Sequence, residues 1–322
     1  MDVNCIDSYL SEHSALYNGD CIEILNSIPS DSIGHAIFSP PFSDLYCYSS
    51  SERDMGNCRS HEEFMTLFGI LSASLFRVIK SGRLVSIHCM DIPSMKERDG
   101  VIGLKDFSGE IIRAMTSAGF VYHSRVTIWK DPLIEATRTK AHGLMMKQLV
   151  KDSAMCRVGL PDYLLTFRHP GVNEEPIHNP KGIKGYAGGN PPKGKGVDLM
   201  QNKWRAYASP VWMDIRQTRN VQYQNARESQ DEKHICPLQL DVIQRSLTLW
   251  SNPGDAVLTP FLGVGSEAYV AVQMGRKAIG IELKPSYYRQ AVKNVQQAEK
   301  TPIGDGEQDM LDGIDTEQED DQ

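Results

Sequence analysis

Residues 255–283 read DAVLTPFLGVGSEAYVAVQMGRKAIGIEL. A short apolar run, a glycine turn at Gly263-Val264-Gly265, a stretch with helical apolar spacing and a second apolar run follow one another without a gap. Strand, turn, helix and strand in so short a span predict a crossover unit, which makes the two strands parallel and lays the helix across one face. The glycines let the backbone approach a ligand, and Glu282, seventeen residues past Gly265, is placed to chelate ribose hydroxyls. This spacing suits a dinucleotide as well as S-adenosylmethionine.

The same alternation extends outward. PLQLDVIQRSLTLWS (237–251) and SYYRQAVKNVQQAE (286–299) have helical periodicity on either side. In the first half of the chain, SIGHAIF (32–38) is a buried strand that stops at Ser39-Pro40-Pro41-Phe42, where two prolines forbid continued pairing. Phe64, Leu67, Phe68, Leu71, Leu75, Phe76 and Ile79 recur at helical spacing, and Ser81-Gly82 marks a stop before the strand RLVSIHC (83–89). GEIIRAMTSAG (109–119) and FVYHSRVTIW (120–129) repeat the pair. The expected class is α/β, a mostly parallel sheet with helices on both faces, with ligands at the carboxyl ends of the strands.

The 322 residues are 40% hydrophobic, 23% charged and 8% aromatic, which excludes whole-chain disorder, collagen-like repeats and a disulfide-dense miniprotein. Seven scattered cysteines with no C-x-x-C pair speak against a disulfide scaffold and a structural metal site. Cys236 precedes a proline, so the Pro-Cys dipeptide that serves cytosine C5 methylation is absent. No apolar run approaches the ~18 residues of a membrane span, and the start has no basic, apolar leader, so a cytoplasmic protein is expected.

The net charge is -7, yet residues 303–322 hold nine acids and no Lys or Arg, so the rest of the chain is two units positive. That tail is expected to be disordered. Between Arg168 and Arg227 the alternation gives way to Gly, Pro and Lys, with ten basic residues against four acids. This basic, loop-rich insertion is where a polyanion would be met. Lys181, Lys184, Lys193, Lys195, Lys203, Arg205, Arg216 and Arg219 are its candidate phosphate contacts, and Trp204, Tyr207, Trp212 and Tyr223 its candidate wedging or stacking groups. The stretch Lys130 to Lys151 is a further basic candidate.

Ser39-Pro40-Pro41-Phe42 discriminates among ligands. A hydroxyl and a proline-fixed carbonyl at a strand end present two rigid acceptors, suited to an amino group with two hydrogens to give, and Phe42 adds a flat face. With this tetrapeptide the sequence resembles the amino-methyltransferases of DNA, which methylate adenine N6 or cytosine N4. Their tetrapeptide has Asp, Asn or Ser, then Pro-Pro, then an aromatic. Their cofactor motif, Asp-Pro-Phe-x-Gly-x-Gly, is similar to Thr259-Pro260-Phe261-Leu262-Gly263-Val264-Gly265. The likeness extends to Asn18-Gly19-Asp20, to the stretch from Leu75 to His88, to Glu282 and, loosely, to His234-Ile235-Cys236-Pro237-Leu238.

The resemblance implies a Rossmann-like, S-adenosylmethionine-dependent fold in the circularly permuted order of the β class, because the tetrapeptide precedes the glycine turn by more than 200 residues. A glutamine methyltransferase acting on proteins would place the cofactor motif first. The expected layout is 1–167 and 231–302 as the two parts of a catalytic domain, 168–230 as a target-recognition insertion, and 303–322 as the tail. The implied site has Ser39, Pro40, Pro41 and Phe42 on the base, and Asp20, Thr259, Pro260, Phe261, Gly263, Gly265, Ser266 and Glu282 on the cofactor, with no metal.

Thr259 stands where the family commonly has aspartate; it keeps a hydrogen bond but not a charge, so weaker cofactor binding is expected. The implied partner is double-stranded DNA, in a bacterial cell or from its virus, with a homodimer and a companion restriction endonuclease compatible with the pattern. Serine in the first tetrapeptide position resembles the cytosine N4 members, and adenine N6 is the alternative. A nicotinamide oxidoreductase leaves the tetrapeptide unexplained, and a non-catalytic DNA-binding paralogue is the remaining alternative.

Overall fold

The computed structural model describes residues 3–41, 55–58, 60–94, 99–139, 146–178, 204–223, 226 and 237–300. Its strands are β1 (Asp7–Leu10), β2 (Ser14–Asn18), β3 (Ile33–Phe38), β4 (Ile79–Cys89), β5 (Ile92–Ser94), β6 (Gly103–Lys105), β7 (Val121–Ile128), β8 (Asp162–Arg168), β9 (Val211–Trp212), β10 (Ala256–Thr259) and β11 (Lys277–Glu282). The helices are α1 (Cys21–Leu25), α2 (His61–Val78), α3 (Phe107–Ser117), α4 (Pro132–Thr139), α5 (Met146–Lys151), α6 (Leu240–Trp250), α7 (Ser266–Gln273) and α8 (Pro285–Lys300).

Nine strands form one sheet in the order β1-β2-β11-β10-β3-β4-β8-β7-β9. From β2 to β4 every neighbour is parallel, as the alternating pattern requires. The crossover read from residues 255–283 is present: β10 and β11 pair in parallel, Ala256 against Lys277, with α7 between them in sequence. Beyond β4 the sheet turns antiparallel, β8 lying between β4 and β7. Helices cover both faces: α6, α7 and α8 pack into one core with Val257 and Ala278, and α1, α2 and α3 into the other with Ala36, Val85 and Phe167.

Ser81-Gly82 does not separate helix from strand as expected. β4 begins at Ile79, and the β3–β4 register shifts between Ile33 and His35. Gly82 takes φ +72 within this irregularity and lies against Asn173, where a Cβ would fall 2.6 Å from the backbone nitrogen. At the edge of the sheet away from the site, the buried Arg83 guanidinium pairs with Asp255 and donates from Nε to the Gly34 carbonyl at 2.9 Å. That node ties together β3, β4 and the start of β10, whose opposite ends carry the candidate site.

The segment from 204 to 223 is not loop alone. β9 adds to the sheet beside β7, and Trp212, Ile215, Val221 and Ala226 are core residues. No helix among the described residues is long and apolar enough to cross a membrane.

Candidate active site

Because β2, β11, β10, β3 and β4 run in parallel, their carboxyl ends share one edge, and each sequence motif sits at one of these ends. Asn18 ends β2 with Gly19-Asp20 after it, Glu282 ends β11, Thr259 ends β10 with Pro260 to Gly265 after it, and Ser39-Pro40-Pro41 follow β3. The early tetrapeptide and the late glycine turn are therefore on adjacent strands. The rings of Phe38 and Phe261 meet across them with centroids 5.8 Å apart.

The glycine turn is held from two sides. Gly263 N donates to Glu282 Oε2 at 2.7 Å, while Asn294 Nδ2, from α8, donates to the Val264 carbonyl at 2.8 Å. Glu282 Oε1 accepts from Lys284 N at 2.8 Å, so both oxygens of the carboxylate are fixed. The N-terminal motif clamps the same residue: Asn18 Nδ2 and Gly19 N donate to the Glu282 carbonyl at 2.7 and 3.0 Å. Asp20 caps α1, its Oδ1 accepting from Ile22 N and Glu23 N.

The two glycines differ in what they permit. Gly263, at φ +55, has no atom within 4 Å of a Cβ position, so its open side leaves room for a ligand. Gly265, at φ +92, would put a Cβ 3.0 Å from Ala291 Cα; its small size serves the packing of α8, not ligand approach.

Two hydroxyls beside this turn, Thr259 Oγ1 and Ser266 Oγ, are buried with no hydrogen-bond partner among the described residues. Buried polar atoms are ordinarily satisfied, so these two hydroxyls are unspent hydrogen-bonding capacity next to the turn. Together with the Asp20 and Glu282 carboxylates, they form a donor and acceptor set that fits an adenosyl group with a cationic tail. Glu267, in the first turn of α7, is buried, and burial pushes its carboxyl up to about 8.

At the tetrapeptide, Ser39 Oγ lies 3.0 Å from His88 Nδ1. His88 Nε2 in turn lies 3.0 Å from Asp162 Oδ2, and Lys130 Nζ is 2.5 Å from Asp162 Oδ1. This chain draws on the end of β4, the start of β8 and the residue pair following β7. The sequence reading places Lys130 among candidate DNA contacts and does not single out His88 or Asp162. A histidine inside the apolar run RLVSIHC, at the carboxyl end of its strand, is the available signal.

Several candidate DNA contacts have other roles. Arg216 and Arg219 bind the buried Asp241 of α6, at 2.8 and 2.6 Å, and so anchor their segment to that helix. Tyr207 and Trp212 are buried beside the Arg245 guanidinium, so they do not wedge into DNA. Trp204 and Arg205 are exposed. Phe42, Lys181, Lys184, Lys193, Lys195, Lys203, the loosely matched His234 to Cys236 and the acidic tail 303–322 lie outside the described residues.

A DNA methylase family profile, N6_N4_Mtase, matches residues 33–293. The chain is 25% identical over 281 residues to the type II methyltransferase M.BamHI of Bacillus amyloliquefaciens, a match covering 85% of this chain and 56% of that protein, and thus just over half of the relative's length. Among solved structures it is similar to TTHA0409 of Thermus thermophilus, a candidate DNA modification methylase complexed with S-adenosyl-L-methionine (TM-score 0.62, 20% identity, 89% of this chain and 96% of that one). PvuII DNA methyltransferase, named as cytosine-N4-specific, gives a TM-score of 0.59 at 18% identity over 92% and 95% of the two chains. At these identities the structural likenesses establish the fold.

Proposed function

The chain belongs to the N6_N4_Mtase family of DNA methylases, and from that premise we propose that it transfers a methyl group from S-adenosyl-L-methionine to an exocyclic amino group of a DNA base, N4 of cytosine in preference to N6 of adenine. The observation that carries this reading is the adjacency of the two strand ends, Ser39 after β3 and the glycine turn after β10, joined by the Phe38–Phe261 contact. Methyl donor and acceptor amine must be in line and in contact, and this is where residues suited to each lie side by side.

When bound, the cofactor supplies an electrophilic sulfonium methyl, so no covalent nucleophile is required of the protein. Glu282 holds the ribose, Asp20 the adenine, and Thr259, Pro260, Phe261, Gly263, Gly265 and Ser266 shape the remaining wall. Here Gly265 acts indirectly, through the packing of α8. Ser39 Oγ and the Pro40 carbonyl accept the two amino hydrogens, drawing the nitrogen lone pair out of conjugation with the ring. Pro41 fixes the turn and Phe42 stacks on the base. Since an exocyclic nitrogen inside a duplex is out of reach, the target base is flipped out of the stack.

The order of the motifs, tetrapeptide early and glycine turn late, supports the permuted arrangement of the β class, with the basic segment between them meeting DNA phosphates. Serine at position 39 supports cytosine, as does a neighbour of the same fold named cytosine-N4-specific. Adenine presents an amino group of the same geometry and is the second reading.

Incubation with S-adenosylmethionine and mixed-sequence duplex DNA, followed by digestion to nucleosides and mass spectrometry, tests the assignment. N4-methylcytosine is the expected product. N6-methyladenine would move the assignment to the second base, and DNA binding without incorporated methyl would identify a non-catalytic paralogue.

A further inference from the structure

A serine hydroxyl has one hydrogen and two lone pairs, and it holds an amino group only if its hydrogen points elsewhere. Its partner is His88 Nδ1, 3.0 Å from Ser39 Oγ. The tautomer of His88 follows from the other side of the ring. Asp162 Oδ2, 3.0 Å from Nε2, has no hydrogen to give while the carboxyl is ionised, so Nε2 must be the donor. Burial alone would push the Asp162 carboxyl up, but Lys130 and His88 outweigh it and hold the group at about 2.

Nε2 therefore carries the hydrogen, Nδ1 of the neutral ring is bare, and Ser39 donates to it. Both lone pairs of Ser39 Oγ are left for the base. The His88, Asp162 and Lys130 side chains are only 10%, 3% and 10% exposed. Burying an imidazole, a carboxylate and an ammonium at the functional edge of a sheet costs desolvation that an apolar strand end would avoid, and perturbed groups so placed cluster at functional sites.

We propose that His88, oriented by Asp162 and Lys130, is the positioning residue and proton acceptor for Ser39 during methyl transfer; this rests on the assignment of Ser39 above. As the N–C bond forms and the C–S bond breaks, the electron pair of the latter goes to sulfur and the amino nitrogen is left with one proton too many. That proton passes to Ser39 Oγ while the original hydroxyl proton passes to His88 Nδ1. The resulting imidazolium keeps its Nε2–H on Asp162, and release of the Nδ1 proton to water restores the starting state. The charged group facing the ring is Asp162 from β8, itself paired with Lys130 after β7.

Single-turnover methyl transfer to genomic DNA tests the relay in wild type, Ser39→Ala, His88→Gln and the double variant. His88→Gln runs about 100-fold slower, with cofactor and DNA affinities preserved in equilibrium titration. Adding His88→Gln to Ser39→Ala costs little further. A slow Ser39→Ala with a His88→Gln that keeps the wild-type rate overturns the role of His88 and leaves that of Ser39 standing. A fully active Ser39→Ala removes both. Should His88→Gln fail to fold, nitrogen NMR of wild-type His88 decides: hydrogen on Nε2 supports the relay, and hydrogen on Nδ1 of the neutral ring overturns it.

Discussion

Glu282 accepts a hydrogen bond from the amide of Gly263 at 2.7 Å, so the acid at the end of β11 shapes the turn after β10 in addition to the ribose-holding role proposed for it. Its other oxygen is fixed by Lys284 N at 2.8 Å. Glu282→Ala removes both functions. Hydrogen bonds to charged groups contribute ~1.5–3 kcal/mol, so cofactor affinity should fall by about 10- to 100-fold. Turnover at saturating cofactor should change less. Calorimetric titration with S-adenosylmethionine checks this, and an unchanged affinity would take Glu282 out of the site.

Ser39→Ala should show the opposite pattern. The acceptor it removes acts on the base during reaction, so kcat should drop by about 100-fold or more while the cofactor Kd stays within a few-fold. Steady-state kinetics together with equilibrium titration separate the two quantities. Equal losses in both would argue that Ser39 supports the cofactor and not the base.

The buried Glu267 makes stability depend on pH. Burial raises its carboxyl from 4.5 to about 8 in the folded chain. The folded state therefore binds a proton that the unfolded state has released, and stability from the neutral form is complete below about 4.5 and lost as pH rises through about 8. Glu267→Gln keeps the shape and removes the titration. The variant should match wild type near pH 4.5 and melt several degrees higher at and above pH 8. Thermal melts across that range decide, and parallel curves for the two proteins would show that Glu267 is ionised within the fold.

The parts of this architecture legible in the sequence are those where one period and one breaker coincide. Residues 255–283 combine apolar runs, Gly263 and Gly265, and helical spacing, and they fold as read. The ends of β3 and β10 follow from the same logic, because parallel strands place their carboxyl ends together. The direction of β8 is not legible: DYLLTFR has the same alternation whether it runs parallel or antiparallel to β4. Nor is the hairpin of β1 and β2, since Asp7–Leu10 is mostly exposed and carries no strong apolar pattern. Trp212 reads as a DNA-facing aromatic because it follows a basic, loop-rich stretch, yet pairing of Ile128 with Trp212 draws it into the core. The His88–Asp162–Lys130 chain joins three strands that only the folded sheet brings together.

Gly263 and Gly265 separate ligand approach from packing within one turn. In Gly265→Ala the new Cβ lies 3.0 Å from Ala291 Cα and 3.1 Å from Ala291 Cβ, and the residue must hold φ +92. Left-handed strain of ~1–2 kcal/mol adds to overpacking of ~1–3 kcal/mol, so the protein should lose several kcal/mol of stability. Gly263→Ala, at φ +55 with no atom within 4 Å of the Cβ, meets only the strain. Its stability should fall by ~1–2 kcal/mol, while its cofactor affinity drops because the methyl group occupies the open side of the turn. Denaturant unfolding and cofactor titration on both variants test the contrast. Wild-type affinity in Gly263→Ala would mean that the ligand does not lie against this turn.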